Sequence, residues 1–121
     1  MLAAIAVVLV IVTVVVVSSN AWKSVVSVKY VGYVSETING GEYVYEVTNE
    51  SEKTRKNVRA IVRVEALFDT VEFEDYVDSS LYVGETVEFT INRAEIEEAF
   101  EKENANSDWI KTVEVVKIMW K

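Results

Sequence analysis

Residues 58–67, VRAIVRVEAL, alternate strictly between two kinds of side chain over ten positions. One set is small or apolar and comprises Val58, Ala60, Val62, Val64 and Ala66; the other is longer or charged and comprises Arg59, Ile61, Arg63, Glu65 and Leu67. Alternation with a period of two is typical of a β-strand with one buried face. The stretch therefore predicts a strand whose small face lies against a core.

The same alternation recurs on both sides of this strand, interrupted by turn signals. Upstream, Asn39-Gly40-Gly41 separates two alternating segments, and Gly84-Glu85 plays the same part downstream. The further predicted strands are residues 26–30, 42–47, a short edge strand 71–74, 81–83, 87–91 and 109–120. Six or seven strands at roughly ten-residue spacing predict an antiparallel sandwich.

One short helix is predicted within this β-rich part. Asn92 is a helix-capping residue, and Glu95 three positions later completes a capping box. Ile96, Ala99 and Phe100 follow the helical spacing that places side chains on one face. We expect this face to pack on the sandwich.

The N-terminal segment has a different character. Residues 1–22 read MLAAIAVVLVIVTVVVVSSNAW and contain no charge, and Lys23 is the first charged residue. The β-branched residues favour a strand in water, but a strand apolar on both faces would need protein on both sides. A helix satisfies its own backbone and, at about 22 residues, would reach about 33 Å. The segment therefore predicts a helix buried in lipid or in a bundle.

The predicted fold class is a long N-terminal hydrophobic α-helix followed by an all-β, immunoglobulin-like antiparallel sandwich domain with one short helix. The predicted division is residues 1–24 for the assembly or membrane helix and 25–121 for the sandwich. No Gly/Pro-rich linker separates the two parts. We therefore expect the helix to run almost directly into the first strand.

Three interpretations of the apolar segment compete: a signal peptide, a membrane anchor and an assembly helix. No Lys or Arg precedes the apolar run, whereas a signal peptide and an ordinary anchor normally begin with positive charge. The segment also lacks a Gly-x-x-x-Gly pattern for a tight dimer, which favours a bundle of several helices. The candidate residues for packing in such a bundle are Ile5, Val8, Leu9, Val12, Val15 and Val16.

Composition argues against several classes of function. The net charge of -8 argues against a nucleic-acid-binding protein, which normally carries a basic stripe. Without histidine and cysteine there is no imidazole base, thiol nucleophile or zinc-thiolate site. We expect no enzymatic activity, no cofactor and no resident metal.

Two polar features are candidates for modification or ion binding. Asn49-Glu50-Ser51 matches the N-glycosylation acceptor pattern and falls in a polar stretch predicted to be an exposed connection. A cluster of carboxylates comprises Glu72, Glu74, Asp75 and Asp78. Such a cluster suits a hard cation, but it lacks the spacing of a calcium loop and fits a solvated acidic edge better.

Aromatic residues are the remaining candidates for recognition. The tyrosines Tyr30, Tyr33, Tyr43 and Tyr45 could form an adhesive aromatic surface, although about half of them are expected to lie in the core. Trp109 and Trp120 are expected to pack in the core or in an interface.

An uncharged apolar N-terminal helix joined without a linker to a small β-sandwich resembles a mature archaeal type IV pilin or a related archaeal filament subunit. The motif that carries the resemblance is MLAAIAVVLVIVTVVVV, residues 1–17. Bacterial-type mature pilins usually carry a glutamate near the fifth position, where this chain has Ile5.

The resemblance implies that the protein is the structural subunit of an extracellular helical filament used in surface adhesion. Its partners would be further copies of itself, the membrane before assembly, a prepilin peptidase and an assembly machinery. Met1 would be the first residue of the mature chain. The alternative is a single-pass membrane-anchored protein with an extracytoplasmic β-sandwich that acts as a binding module.

Overall fold

The computed structural model describes residues 21–35 and 40–121. A short 3-10 helix, Ala21–Ser24, is followed by six strands and one α-helix. The elements in chain order are β1 (Val26–Val34), β2 (Glu42–Asn49), β3 (Arg55–Glu65), β4 (Thr70–Leu81), β5 (Thr86–Asn92), α1 (Arg93–Lys102) and β6 (Thr112–Met119).

The predicted fold class is wrong as stated. The described part of the chain is mostly β, with two antiparallel sheets and one short α-helix, and it contains no long apolar helix. None of its helices is long and apolar enough to cross a membrane. Residues 21–24, the predicted end of the long helix, form only a single 3-10 turn. The rest of that prediction falls on residues 1–20, outside the described residues.

Each sheet has three strands, and its central strand pairs with an antiparallel neighbour on either side. The first sheet has the order β1-β2-β5, and the second has the order β4-β3-β6. The two sheets pack face to face around one hydrophobic core. The stretch that alternates most clearly in the sequence thus becomes the central strand of the second sheet.

The small face of β3 lies in the core, as predicted. Val58, Ala60, Val62 and Val64 are fully buried, and Ala66 just beyond the strand is nearly so. Each fully buried valine contributes on the order of 1.5 kcal/mol or more relative to an exposed one. The opposite face carries Arg59 and Arg63, which form ion pairs with carboxylates of β4.

The side chains of β6 do not alternate regularly along its whole length. A β-bulge shifts the register between Ile61 and Val62, so that Val62 pairs with Val115 whereas Ile61 pairs with Lys117. Val116 is the extra residue, and it reverses the alternation at that point. Val113 and Val115 therefore pack against the core together with Ile118, and Glu114 lies outside.

Strand β4 is longer than the sequence predicts. The prediction was a short strand at residues 71–74 and a separate strand at 81–83, but β4 runs from Thr70 to Leu81. Asp75, Asp78 and the serines have low β propensity and therefore suggested a break. Pairing along nearly the whole length of β3, with a bulge at Val58, overrides that local preference.

Helix α1 covers one side of the sandwich. Asn92 caps it as predicted, since its side-chain oxygen accepts a hydrogen bond from the Glu95 backbone N–H at 2.8 Å. Ile96, Ala99 and Phe100 are buried against the core, and the helix contacts β4 and β5. The edges of β1 and β6 lie on the other side of the sandwich, where the 3-10 turn contacts both strands.

Candidate functional site: a cleft between the edges of β1 and β6

A cleft of about 530 Å³ opens between the two sheets on the side that α1 does not cover. Its walls come from β1 and β2 of one sheet and from β6 of the other. The lining residues are Trp22, Lys23, Val28, Tyr30, Tyr43, Tyr45, Lys111, Thr112, Val113, Glu114 and Val115. The volume lies in the range typical of sites for small ligands.

Trp22 lines this cleft and also a second cavity. Its side chain is 7% exposed and belongs to the hydrophobic core. The indole Nε1 is buried and has no hydrogen-bond acceptor within the described part of the chain. The ammonium of Lys23 lies over the indole ring, 5.8 Å from its centroid, in a cation–π arrangement.

Four tyrosines form two ring pairs on the inner face of the first sheet. The rings of Tyr30 and Tyr45 lie 5.3 Å apart, and those of Tyr33 and Tyr43 lie 4.8 Å apart. Tyr45 is buried and Tyr43 is partly buried, whereas Tyr30 and Tyr33 are about half exposed. The expectation that about half of these tyrosines are core residues is confirmed, and the other two leave ring surface exposed.

The buried tyrosines are uncharged at neutral pH. Burial raises the pKa of Tyr45 to about 12, and the neighbouring Tyr30 and Glu114 add to the effect. Burial also raises the pKa of Tyr43, with a further contribution from Tyr33. The cleft therefore presents neutral phenols, which donate and accept hydrogen bonds.

The second cavity has a volume of about 510 Å³ and shares Trp22 and Val115 with the lining of the cleft. Lys23 and Glu114 line both cavities, while Arg63, Glu72 and Lys117 line the second one alone. Arg63 is paired with Glu72 at 3.0 Å. No salt bridge involves Lys23, Lys111 or Lys117 among the described residues.

Charge is distributed unevenly between these cavities and the rest of the chain. Four of the 12 basic residues line them, but only two of the 20 acidic residues do so. After the Arg63–Glu72 pair is set aside, three lysines face one glutamate. The region around Trp22 is therefore a basic patch on an acidic protein.

Strand β1 has only β2 as a neighbour among the described strands, and its other edge, which adjoins the cleft, is largely apolar. Tyr30, Val31, Tyr33 and Val34 are all about half exposed, and Lys29 is the strand's only charged residue. Val31 is the additional residue of a β-bulge, because Tyr30 pairs with Tyr45 and Gly32 with Val44. Exposed apolar edge strands are sites where another chain can pair.

The residues predicted from the sequence have different outcomes. Ile5, Val8, Leu9, Val12, Val15 and Val16 lie outside the described residues, so their role in a bundle stays a prediction.

Asn49 does not lie in an exposed connection, because it is the last residue of β2 and is 1% exposed. Its Nδ2 donates hydrogen bonds to the carbonyl oxygens of Lys53 and Leu81. Both hydrogens of the amide that a glycan would occupy are therefore already used in the folded domain.

The predicted carboxylate cluster is divided between different partners. Glu72 and Glu74 pair with Arg63 and Arg59 across the exposed face of the second sheet. Asp75 instead lies against Glu95 of α1, with which it forms a side-chain hydrogen bond. Within residues 21–35 and 40–121, no three acidic residues are grouped in a way that would hold a metal ion.

The Asp75–Glu95 pair holds a proton at neutral pH. The pKa of Glu95 is raised to about 8, chiefly by burial and then by the hydrogen bond to Asp75 and the charge of Asp75, while a hydrogen bond from the Asn92 backbone N–H opposes the rise. Two carboxyls in contact cannot both ionise cheaply, and a shared proton removes the repulsion.

The two predicted packing tryptophans differ from each other. Trp109 is 79% exposed and has a positive φ of 56°, so it does not pack in the core, and its place in an interface stays a prediction. Trp120 packs against the core and carries the guanidinium of Arg55 over its ring, 5.2 Å from the centroid. Trp22 is the tryptophan that lines the cleft. The one available signal was its position directly before the first strand.

Comparison of the chain with known protein families, with curated proteins and with solved structures gave no match in any of the three.

Proposed function

We propose that this protein is the structural subunit of an extracellular filament of the pilus type, used in surface adhesion. In this proposal the uncharged segment upstream of Lys23 mediates assembly and the β domain forms the outer surface of the filament. Further copies of the chain are its main partner, and the membrane holds the subunit before assembly. The processing and assembly machinery follows only from the resemblance to archaeal pilins.

The observation that carries the proposal is the way in which the apolar segment joins the domain. Trp22 is buried in the core, and its backbone oxygen accepts a hydrogen bond from the Val25 N–H at 3.0 Å. The hydroxyl of Ser24 donates to the Ala21 carbonyl oxygen at 2.9 Å. The last residues before the sandwich are therefore fixed to it, which suits a close-packed polymer better than a domain on a flexible tether.

The exposed edge of β1 supports the same proposal. An apolar edge strand offers unpaired backbone groups together with apolar side chains such as Val31 and Val34. Contact between this edge and a different surface of the next subunit would be heterologous, and repeated heterologous contacts generate open helical polymers. In the proposed filament, the β1 edge of one subunit thus contacts the β domain of the next subunit, away from the central axis of the filament.

The test is electron microscopy of material sheared from cells that produce the wild-type chain or Val12→Asp. We expect thin, uniform filaments from the wild type and none from the variant, because a carboxylate within an apolar bundle is strongly unfavourable. Val12→Leu is the matched control and should still assemble. Intact mass and circular dichroism would show that the variant chain is made and that its β domain folds.

The second candidate is the membrane-anchored binding module, which the tyrosine-lined cleft favours. One measurement distinguishes the two candidate functions, namely where the wild-type chain is found and whether it forms a polymer. A wild-type chain found only in detergent-extracted membranes, with no polymer under any condition, would contradict the filament and support the anchored module.

A further inference from the structure

We infer that the cleft between β1 and β6 binds an acidic sugar residue of a polysaccharide. The ligand would place its ring against Tyr30 and its carboxylate among the lysines around Trp22. This inference goes beyond the proposed assembly function, because binding at the cleft does not require the subunit to be in a filament.

The aromatic wall provides the first part of the argument. Tyr30 is 53% exposed, and its ring is held against the buried Tyr45 at 5.3 Å. The platform is therefore positioned before any ligand arrives, which lowers the entropic cost of binding. An aromatic face carries partial negative charge and suits the aliphatic C–H groups of a sugar ring, while phenol hydroxyls suit its hydroxyl groups.

The charge of the lining provides the second part. Lys23 and Lys111 line the cleft and Lys117 the adjoining cavity, and none of the three forms a salt bridge in the part of the chain that the structure describes. Ammonium groups without a salt bridge attract an anionic group to the cleft, although the net charge of the protein is -8. Charge complementarity thus selects an acidic sugar over a neutral one.

The remaining polar groups fit the same ligand. Glu114 accepts hydrogen bonds, and sugar hydroxyls are donors that match it. Thr112 adds a hydroxyl that both donates and accepts. A simple inorganic anion would use the lysines alone and leave the tyrosine wall without a partner.

The experiment measures binding of a galacturonic acid hexamer to the full-length chain by isothermal titration calorimetry. The chain is kept dispersed in a polyoxyethylene detergent, since sugar-based detergents would compete for the cleft. A neutral glucose hexamer and sodium acetate are the matched ligands. We expect the acidic hexamer to bind at least tenfold more tightly than either, and raising the salt to weaken it.

Variants assign the binding to the cleft. Lys111→Gln should weaken binding of the acidic hexamer by about tenfold, the loss expected for one charge-assisted hydrogen bond. Lys121→Gln, which changes a lysine outside both cavities, should leave it unchanged. Tyr30→Ala should abolish measurable binding, whereas Tyr30→Phe keeps the ring and should retain it. A thermal unfolding curve for each variant separates loss of the site from loss of the fold.

Three results would overturn the inference. Equal binding of the neutral and acidic hexamers would remove the role of the lysines. Wild-type affinity in both Lys111→Gln and Tyr30→Ala would place the ligand elsewhere. Absence of binding to either hexamer would show that the cleft is closed to sugars, for instance because another part of the chain or a second copy fills it.

Discussion

The phenolic oxygen of Tyr45 in β2 donates a hydrogen bond to the backbone carbonyl oxygen of Val113 in β6, at 2.5 Å. The two residues are 68 positions apart and belong to different sheets. Both residues line the cleft on the side of the sandwich that α1 does not cover. The bond therefore helps to fix the distance between the tyrosine wall and the β6 wall.

Removal of this hydroxyl should destabilise the domain. We expect Tyr45→Phe to lower the free energy of unfolding by about 1–3 kcal/mol, because the Val113 carbonyl loses a buried donor. Urea unfolding followed by circular dichroism would measure the change. Tyr82→Phe, at a tyrosine that is 60% exposed, is the control and should stay within about 0.5 kcal/mol. Equal effects of the two substitutions would contradict the role given to the Tyr45 bond.

Strong alkali should weaken the fold through the same residue. The pKa of Tyr45 is raised from 10.0 to about 12 by burial, so the folded state holds its proton more tightly than the unfolded state does. The corresponding stabilisation is complete below pH 10 and is lost as the pH rises toward 12, by on the order of 2 kcal/mol. Tyr45→Phe should show a smaller loss over this interval in unfolding curves at fixed temperature. An unchanged slope would argue against burial of the phenol.

The Asp75–Glu95 pair should make the free energy of unfolding decrease as the pH rises. Carboxylates in ordinary ion pairs have the opposite effect, because they stabilise the folded state once they are ionised. Because the pKa of Glu95 is raised from 4.5 to about 8, its contribution is present below pH 4.5 and is lost as the pH rises to 8. We expect a loss on the order of 1 kcal/mol, allowing for partial exposure of the pair to solvent. Glu95→Gln keeps a neutral donor toward Asp75 and should flatten the profile of unfolding free energy against pH. Glu101→Gln, on the exposed side of α1, should leave the profile as it is in the wild type.

Asn49 should be important for the fold. Its amide connects the end of β2 to the Leu81 carbonyl at the end of β4, and its Oδ1 accepts hydrogen bonds from the backbone and side chain of Ser51. We expect Asn49→Ala to cost about 2–3 kcal/mol, since it leaves buried polar groups unpaired. Glu52→Ala, in the exposed connection that follows, should cost little.

The same geometry bears on glycosylation. Because both hydrogens of Asn49 Nδ2 are used in the folded domain, we expect the intact mass of the folded protein to lack a glycan at this position. Glycosylation at Asn49 therefore stays a prediction only for a chain to which the glycan is attached before the domain folds. A glycopeptide that contains Asn49 from natively folded protein would contradict the hydrogen-bond assignment.

The exposed edge of β1 allows a test of lateral contacts between subunits. Val31→Lys places a charge on that edge, and we expect it to reduce or abolish assembly while changing the unfolding free energy by less than about 0.5 kcal/mol. Val83→Lys is the matched control, because Val83 is equally exposed but lies in the turn between β4 and β5. Sedimentation of assembled material compares the two variants. Equal sedimentation would show that β1 does not take part in subunit contacts.

Much of the β domain could be predicted from the local pattern. The alternation at residues 58–67 identified β3 and its buried face, and Asn92 with Glu95 identified the start of α1. These features are local, because a side-chain period and a capping hydrogen bond depend on residues within a few positions of each other. The local pattern failed at β4 and β6, where pairing with β3 imposed a longer strand and a bulge.

The cleft could not be predicted in this way, because its walls come from residues far apart in the chain. Tyr30, Tyr45 and Lys111 meet only because β1 and β6 are the edges of two different sheets on the same side of the sandwich. The burial of Asn49 has the same origin, since its amide reaches a carbonyl 32 positions away. No period or spacing in the sequence contains that information.

The sequence by itself determined the composition of this protein, its uncharged N-terminal segment and the face that β3 turns to the core. Only the tertiary structure decided where the cations gather, which tyrosines stay exposed and which carboxyls share a proton. The physical reason is that burial and electrostatic interaction depend on distance in space. In an antiparallel sandwich that distance is set by strand order, which a pattern of neighbouring residues does not record.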